Sequence, residues 1–122
     1  MLYEIEKTMT FDAAHHLPYY KGHCHNVHGH TWRVTVIIRS PELLSNGTNE
    51  GMVIDFSEIV NLINSRFDHQ DLNKNMDNPT AENIAYYIFN MLEKFLSFKP
   101  AYIYSVSVWE TEGSKAMYGR ME

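Results

Sequence analysis

Cysteine is almost absent from this chain: Cys24 is the only one in 122 residues. A lone thiol excludes an intrachain disulfide framework and suits a reducing cytoplasm, where the protein is expected. The four prolines and six glycines form no linker that would divide the chain, and no repeat or low-complexity stretch is present. Positive charge is also scarce, with ten Lys and Arg against fifteen Asp and Glu and a net charge of −5. That balance excludes the basic patch of a nucleic-acid or anionic-membrane binder. No apolar run is long enough to span a bilayer, and the first residues carry no signal-peptide pattern. What remains is an ordinary soluble composition, 44% hydrophobic and 20% charged, expected to make one domain over residues 1–122. Such a length is near the lower end for enclosing an enzyme pocket, and small enzymes often build theirs between subunits.

Histidine is what the chain has in unusual arrangement. Six of its seven histidines lie between His15 and His30, and the seventh, His69, follows Asp68. Alternation runs through both flanks of that cluster. Tyr3, Ile5, Met9, Phe11 and Ala13 share one face of a half-buried strand. Trp32, Val34, Val36 and Ile38 do so on a second, with Arg33, Thr35 and Arg39 outward. Leu17 to His28 has no period and reads as a loop, as does Pro41 to Gly51. Asp55-Phe-Ser-Glu58 has the form of a capping box ahead of Phe56, Ile59, Val60, Ile63 and Phe67 at helical spacing. Thr80 is a good N-cap for a second helix with Ile84, Tyr87, Ile88, Met91, Leu92 and Phe95 on its apolar face. From Tyr102 to Glu110 alternation returns, with Tyr104, Val106 and Val108 inward and Ser105 and Ser107 outward. Ala116 to Arg120 suits a short last strand. The order ββααββ predicts an α+β protein, a four-stranded antiparallel sheet with both helices on one face.

Parity places the polar residues that interrupt these faces. His15 continues the buried face of the first strand, and His28 and His30 share the parity of Trp32, so all three imidazoles can converge. Three imidazoles with a position left open are the ligand set of a catalytic zinc site. Three separately hydrogen-bonded histidines are the alternative. Glu110 has the parity of Val106 and Val108, and a carboxylate there needs partners. It either curls back to water or accepts two N–H bonds from a flat heterocycle. In Asp68-His69 the acid can fix the tautomer of the imidazole, as proton transfer requires, although helix ends commonly carry both residue types. Cys24 precedes His28 by four residues. It is either a small loop hydrophobe or, near a cation, a thiolate available as a base.

Together these residues resemble the 6-pyruvoyl-tetrahydropterin synthase superfamily. The resemblance is carried by Phe11-Asp-Ala-Ala-His15, Cys24-His-Asn-Val-His28-Gly-His30 and Gly51-Met-Val-Ile-Asp-Phe56. Phe67-Asp-His69, Leu72-Asn73, Pro79-Thr-Ala-Glu-Asn83 and Trp109-Glu-Thr111 follow in the family's order. It implies the T-fold and a homo-hexamer, a dimer of trimers, with active sites at subunit interfaces. It also implies Zn2+ on His15, His28 and His30, with Cys24 as the proton-abstracting thiol. Asp68 and His69 would be the relay pair and Glu110 the pterin anchor, while His16, His23 and His25 match no role. The implied substrate is 7,8-dihydroneopterin triphosphate, with Lys21 and Lys115 candidates for meeting its phosphates. The Cys-x-x-x-His-Gly-His spacing resembles both the 6-carboxy-tetrahydropterin synthases of queuosine biosynthesis and the biopterin enzymes, while the Gly51-to-Phe56 segment and the compact length look like the queuosine branch. The lyases of that branch release acetaldehyde and triphosphate. His25 stands where the folate-type branch has glutamate. A 6-pyruvoyl product and a non-catalytic metal-binding module are the competing expectations.

Overall fold

The computed structural model of the protein describes residues 1–121. Two long strands, β1 (Tyr3–His15) and β2 (His28–Ser40), form an antiparallel pair. Helix α1 (Phe56–Phe67) follows, then the short strand β3 (Gln70–Asp71) and helix α2 (Ala81–Phe95). The chain closes with the hairpin of β4 (Tyr102–Thr111) and β5 (Ser114–Gly119). The sheet order is β3-β1-β2-β4-β5. The α+β architecture with both helices on one face is as expected, but the sheet has five strands rather than four and is mixed rather than wholly antiparallel. The difference is β3, which pairs in parallel with Ala13 and Ala14. Two residues are too few to display an alternation, so nothing in the sequence announces such a strand.

The hydrophobic effect explains the layering. Phe11, Trp32, Val34, Val36, Ile38, Val106 and Val108 line one side of the sheet, and Ile59, Ile63, Ile84, Ile88 and Leu92 cover them from the helices. Helix α1 lies over β1, and α2 over β4 and β5. The buried stripe of α2 is Ile84, Ala85, Ile88, Phe89 and Leu92. It is rotated from the expected face, so Tyr87, Met91 and Phe95 flank the core instead of filling it. Phe56, at the first turn of α1, stays exposed.

One strand departs from its alternation. Ile37 pairs with Ser105 but Ile38 pairs with Ile103, so Tyr104 is an extra residue bulged out of β4. The bulge reverses parity. Ile103 becomes fully buried and Ser105 nearly so, while Tyr104, expected inward, turns to the other face under the Arg39 guanidinium at 3.6 Å. Beyond the bulge Val106 and Val108 face the core as predicted. Their parity carries on to Glu110.

Both helices begin on side-chain caps. Asp55 accepts from the Ser57 N–H at 2.9 Å, and Thr80 accepts from the Asn83 N–H at 3.1 Å. The second cap matters for the site, because the residue before it, Pro79, contacts His15. Thr80→Ala is expected to cost about 1 kcal/mol, the usual worth of an N-cap hydroxyl. Urea unfolding should show a lower midpoint at unchanged slope; an unchanged midpoint would refute the cap's contribution.

Candidate metal centre and active site

The β1–β2 register sets His15 opposite His28 and Ala13 opposite His30. All three imidazoles therefore lie on the core side, at the end of the sheet. Their ring centroids are 4.6 Å apart for His15–His28, 4.7 Å for His28–His30 and 5.1 Å for His15–His30. Trp32 forms the floor, edge-on to His15 at 4.9 Å and to His30 at 5.3 Å. His15 is fully buried.

Two backbone carbonyls orient these rings. His15 Nδ1 lies 2.8 Å from the Pro79 carbonyl oxygen, and His28 Nδ1 lies 2.6 Å from that of Asn26. A carbonyl only accepts, so each Nδ1 carries a proton, and in the neutral ring Nε2 keeps its lone pair. This is the arrangement that prepares histidine for a metal. Nε2 of His15 and of His30 are buried without a hydrogen-bond partner. Leaving such atoms unsatisfied is costly, and a cation among them removes the cost. Burial is also the main reason His30 titrates below the ordinary histidine value, with Glu110 opposing the shift. A neutral imidazole is the ligating form. The donor set thus fits a metal ion: the ligand atoms of His15, His28, His30 and Glu110 all lie within 4.8 Å of one another.

Glu110 points inward, as its parity requires. Its Oε1 is 3.3 Å from His15 Nε2 and 3.0 Å from His30 Nε2.

Asp68 and His69 make a second cluster, joined by Asp12. Asp68 Oδ2 is 3.0 Å from His69 Nδ1, and Asp68 Oδ1 accepts from the Asp12 N–H at 3.0 Å. The His69 N–H donates to the Asp12 carbonyl at 2.6 Å. His69 takes the left-handed conformation, φ 59°, which is uncommon outside glycine although histidine is among the residues that adopt it more readily. Its side chain is 80% exposed, beside a cleft of about 630 Å³ shared with Asp12, Thr31 and His30. Within one chain the dyad and the three histidines are separate groups.

Cys24 is half-buried in a short 3-10 turn, His23–His25, its carbonyl accepting from the Leu17 N–H at 2.7 Å. Its sulfur is not among the atoms that converge with the histidines. His23 and His25 are exposed, and His16 is clamped through its backbone by Asn73 at 2.8 and 2.9 Å. Lys115 stands over the Trp109 ring at 5.5 Å, and Arg33, a cation the sequence pattern did not single out, over the same ring at 4.3 Å. Pattern reading also missed Pro79, Asn26 and Asp12, because they act through backbone groups that residue type does not reveal.

Comparison with known proteins bears on this geometry. Residues 4–121 match the family described as 6-pyruvoyl tetrahydropterin synthase. The chain belongs to that family of enzymes. Among its relatives, the 6-carboxy-5,6,7,8-tetrahydropterin synthase of Synechocystis is 39% identical, over 93% of this chain and 91% of the relative. The Haemophilus influenzae protein of the same name is 34% identical, over 96% of this chain and 99% of its own. The solved structure of Caenorhabditis elegans 6-pyruvoyl tetrahydropterin synthase superposes with a TM-score of 0.76 at 26% identity, covering 99% of this chain and 97% of that one. The T-fold inferred from the sequence motifs is therefore the fold of this chain.

The dyad generates a prediction of its own. The Asp12 N–H, and after it His69, hold the Asp68 carboxyl below 3.8, the ordinary aspartate value. A depressed folded-state pKa contributes stability that is present above the unfolded value and lost as pH falls through the folded one. NMR titration of the Asp68 carboxyl should give a midpoint below 3.8, and Asp68→Asn should remove that part of the acid-dependent loss of stability. A midpoint at or above the ordinary value would contradict the dyad geometry.

Proposed function

We propose that the protein is a zinc-dependent 6-carboxy-5,6,7,8-tetrahydropterin synthase. It converts 7,8-dihydroneopterin triphosphate with release of acetaldehyde and triphosphate, in queuosine biosynthesis in the cytoplasm. The observation that carries the reading is the three-imidazole cluster with its orphaned nitrogens. Full-length similarity to two relatives of that name supports the choice of branch. The 6-pyruvoyl tetrahydrobiopterin synthase of Drosophila melanogaster, at 34% identity, aligns over only 74% of this chain and 57% of its own.

His15, His28 and His30 would hold the zinc, since an all-imidazole set suits that ion better than magnesium or calcium. Bound there, zinc supplies positive charge that stabilises the oxygens of the substrate side chain during deprotonation of the adjacent C–H. Glu110 accepts N–H bonds from the pyrimidine edge of the pterin and fixes its orientation. Cys24, as thiolate, takes the proton from carbon, and Asp68-His69 returns a proton, with Asp68 holding the His69 tautomer at Nδ1. Lys115 is a candidate for meeting the triphosphate, with Arg33 beside it. A chain of this length has little room to enclose a pocket by itself, which supports a site completed between subunits, in a homo-hexamer. A light-scattering mass near the 14.3 kDa of the monomer would contradict that assembly.

Product analysis with dihydroneopterin triphosphate tests the reaction. Acetaldehyde and 6-carboxytetrahydropterin are expected; a product that keeps the side-chain carbons would replace this reading with the 6-pyruvoyl one. In the same assay Cys24→Ala should keep its metal while turnover falls by about 10²–10⁴, the usual cost of losing a positioned base. A zinc-replete Cys24→Ala protein with a wild-type single-turnover rate would move the base role to His69.

A further inference from the structure

The position of Glu110 is more specific than an anchor for the pterin requires. Its Oε1 lies 3.3 Å from His15 Nε2 and 3.0 Å from His30 Nε2, yet neither nitrogen has a hydrogen-bond partner. No well-aligned N–H···O bond therefore accounts for the approach. In the neutral His15 ring the Pro79 carbonyl takes the one N–H proton, at Nδ1 2.8 Å away, and leaves Nε2 with a lone pair. A lone pair facing a carboxylate oxygen is repulsive unless a cation lies between them. The distances have a direct geometric meaning: ligands held about 2.0–2.1 Å from a tetrahedral zinc are about 3.3 Å from one another. Glu110 Oε1 thus stands at or close to one tetrahedral edge from two of the histidines.

We propose that Glu110 is the fourth ligand of the resting metal centre. The proposal rests on the metal reading above and adds a step to it. Three imidazoles alone leave a position open, and a carboxylate in that position closes the centre until substrate arrives. Substrate oxygens taking that position would release the carboxylate, leaving Glu110 free to accept from the pterin edge. Glu110 so has two successive partners, and the site opens only to a ligand that offers it the second. Its half-buried location, 25% exposed at the mouth of a fully buried histidine, suits a group that moves between the two.

Cobalt(II) is the probe, because its visible absorption reports coordination independently of turnover. The full-length wild type, Glu110→Gln and Glu110→Ala are loaded with cobalt, and affinities are measured against a competing chelator, with circular dichroism confirming the fold. Loss even of an outer-shell partner commonly weakens a metal site 10–100-fold, so Glu110→Ala should weaken it by at least about tenfold and alter the visible bands. Glu110→Gln, which keeps the shape but not the charge, should fall between. Equal affinity and identical spectra in all three proteins would overturn ligation by Glu110 and leave the three-histidine centre standing. Failure of the wild type to take up cobalt would overturn both.

Discussion

The antiparallel register of β1 on β2 is the constraint on which the site depends. It pairs His15 with His28 and Ala13 with His30, and two imidazoles separated by one residue on β2 then meet the third across the ladder. A slip of one residue would turn the histidines of one strand to the opposite face. The register is fixed further back by the residues that alternate into the core, Phe11 on β1 and Trp32, Val34, Val36 and Ile38 on β2. Burial that stabilises the sheet and convergence that builds the centre are thus consequences of the same pairing. Trp32, the floor beneath His15 and His30, stacks on Phe11 with ring centroids 6.3 Å apart.

The rest of the molecule supplies what the register leaves unsatisfied. Helix α2 delivers the Pro79 carbonyl to His15 at its N-terminal boundary, and the turn before β2 delivers the Asn26 carbonyl to His28. Strand β3 runs beside β1 and so brings Asp68 and His69 against the backbone of Asp12. Beyond the β4 bulge at Tyr104, the parity of Val106 and Val108 carries Glu110 inward. Each element places one polar group, and the chemistry depends on all of them being held at once.

Much of this was legible in residue order. The parity of His15, His28 and His30 follows from strands whose alternation is unbroken near the site, that of Glu110 continues from Val106 and Val108 up to a register shift against β5 between Trp109 and Thr111, and the motifs around them carry the family. Illegible parts share a cause. Strand β3 is too short to have a period, the bulge at Tyr104 hides in a run of residues that all suit a strand, and α2 is apolar over more than one face. Carbonyl acceptors such as those of Pro79 and Asn26 depend on backbone direction, which residue type does not encode. The approach of Glu110 to two histidine nitrogens is likewise a distance, and the sequence supplies only the side of the sheet.

The most direct test of the account is X-ray absorption at the zinc edge on the purified, zinc-loaded protein. It should find only nitrogen and oxygen neighbours at about 2.0–2.2 Å, with the outer-shell scattering of three imidazoles. A sulfur neighbour at about 2.3 Å would place Cys24 on the metal and contradict the division between metal-holding histidines and a free thiol base.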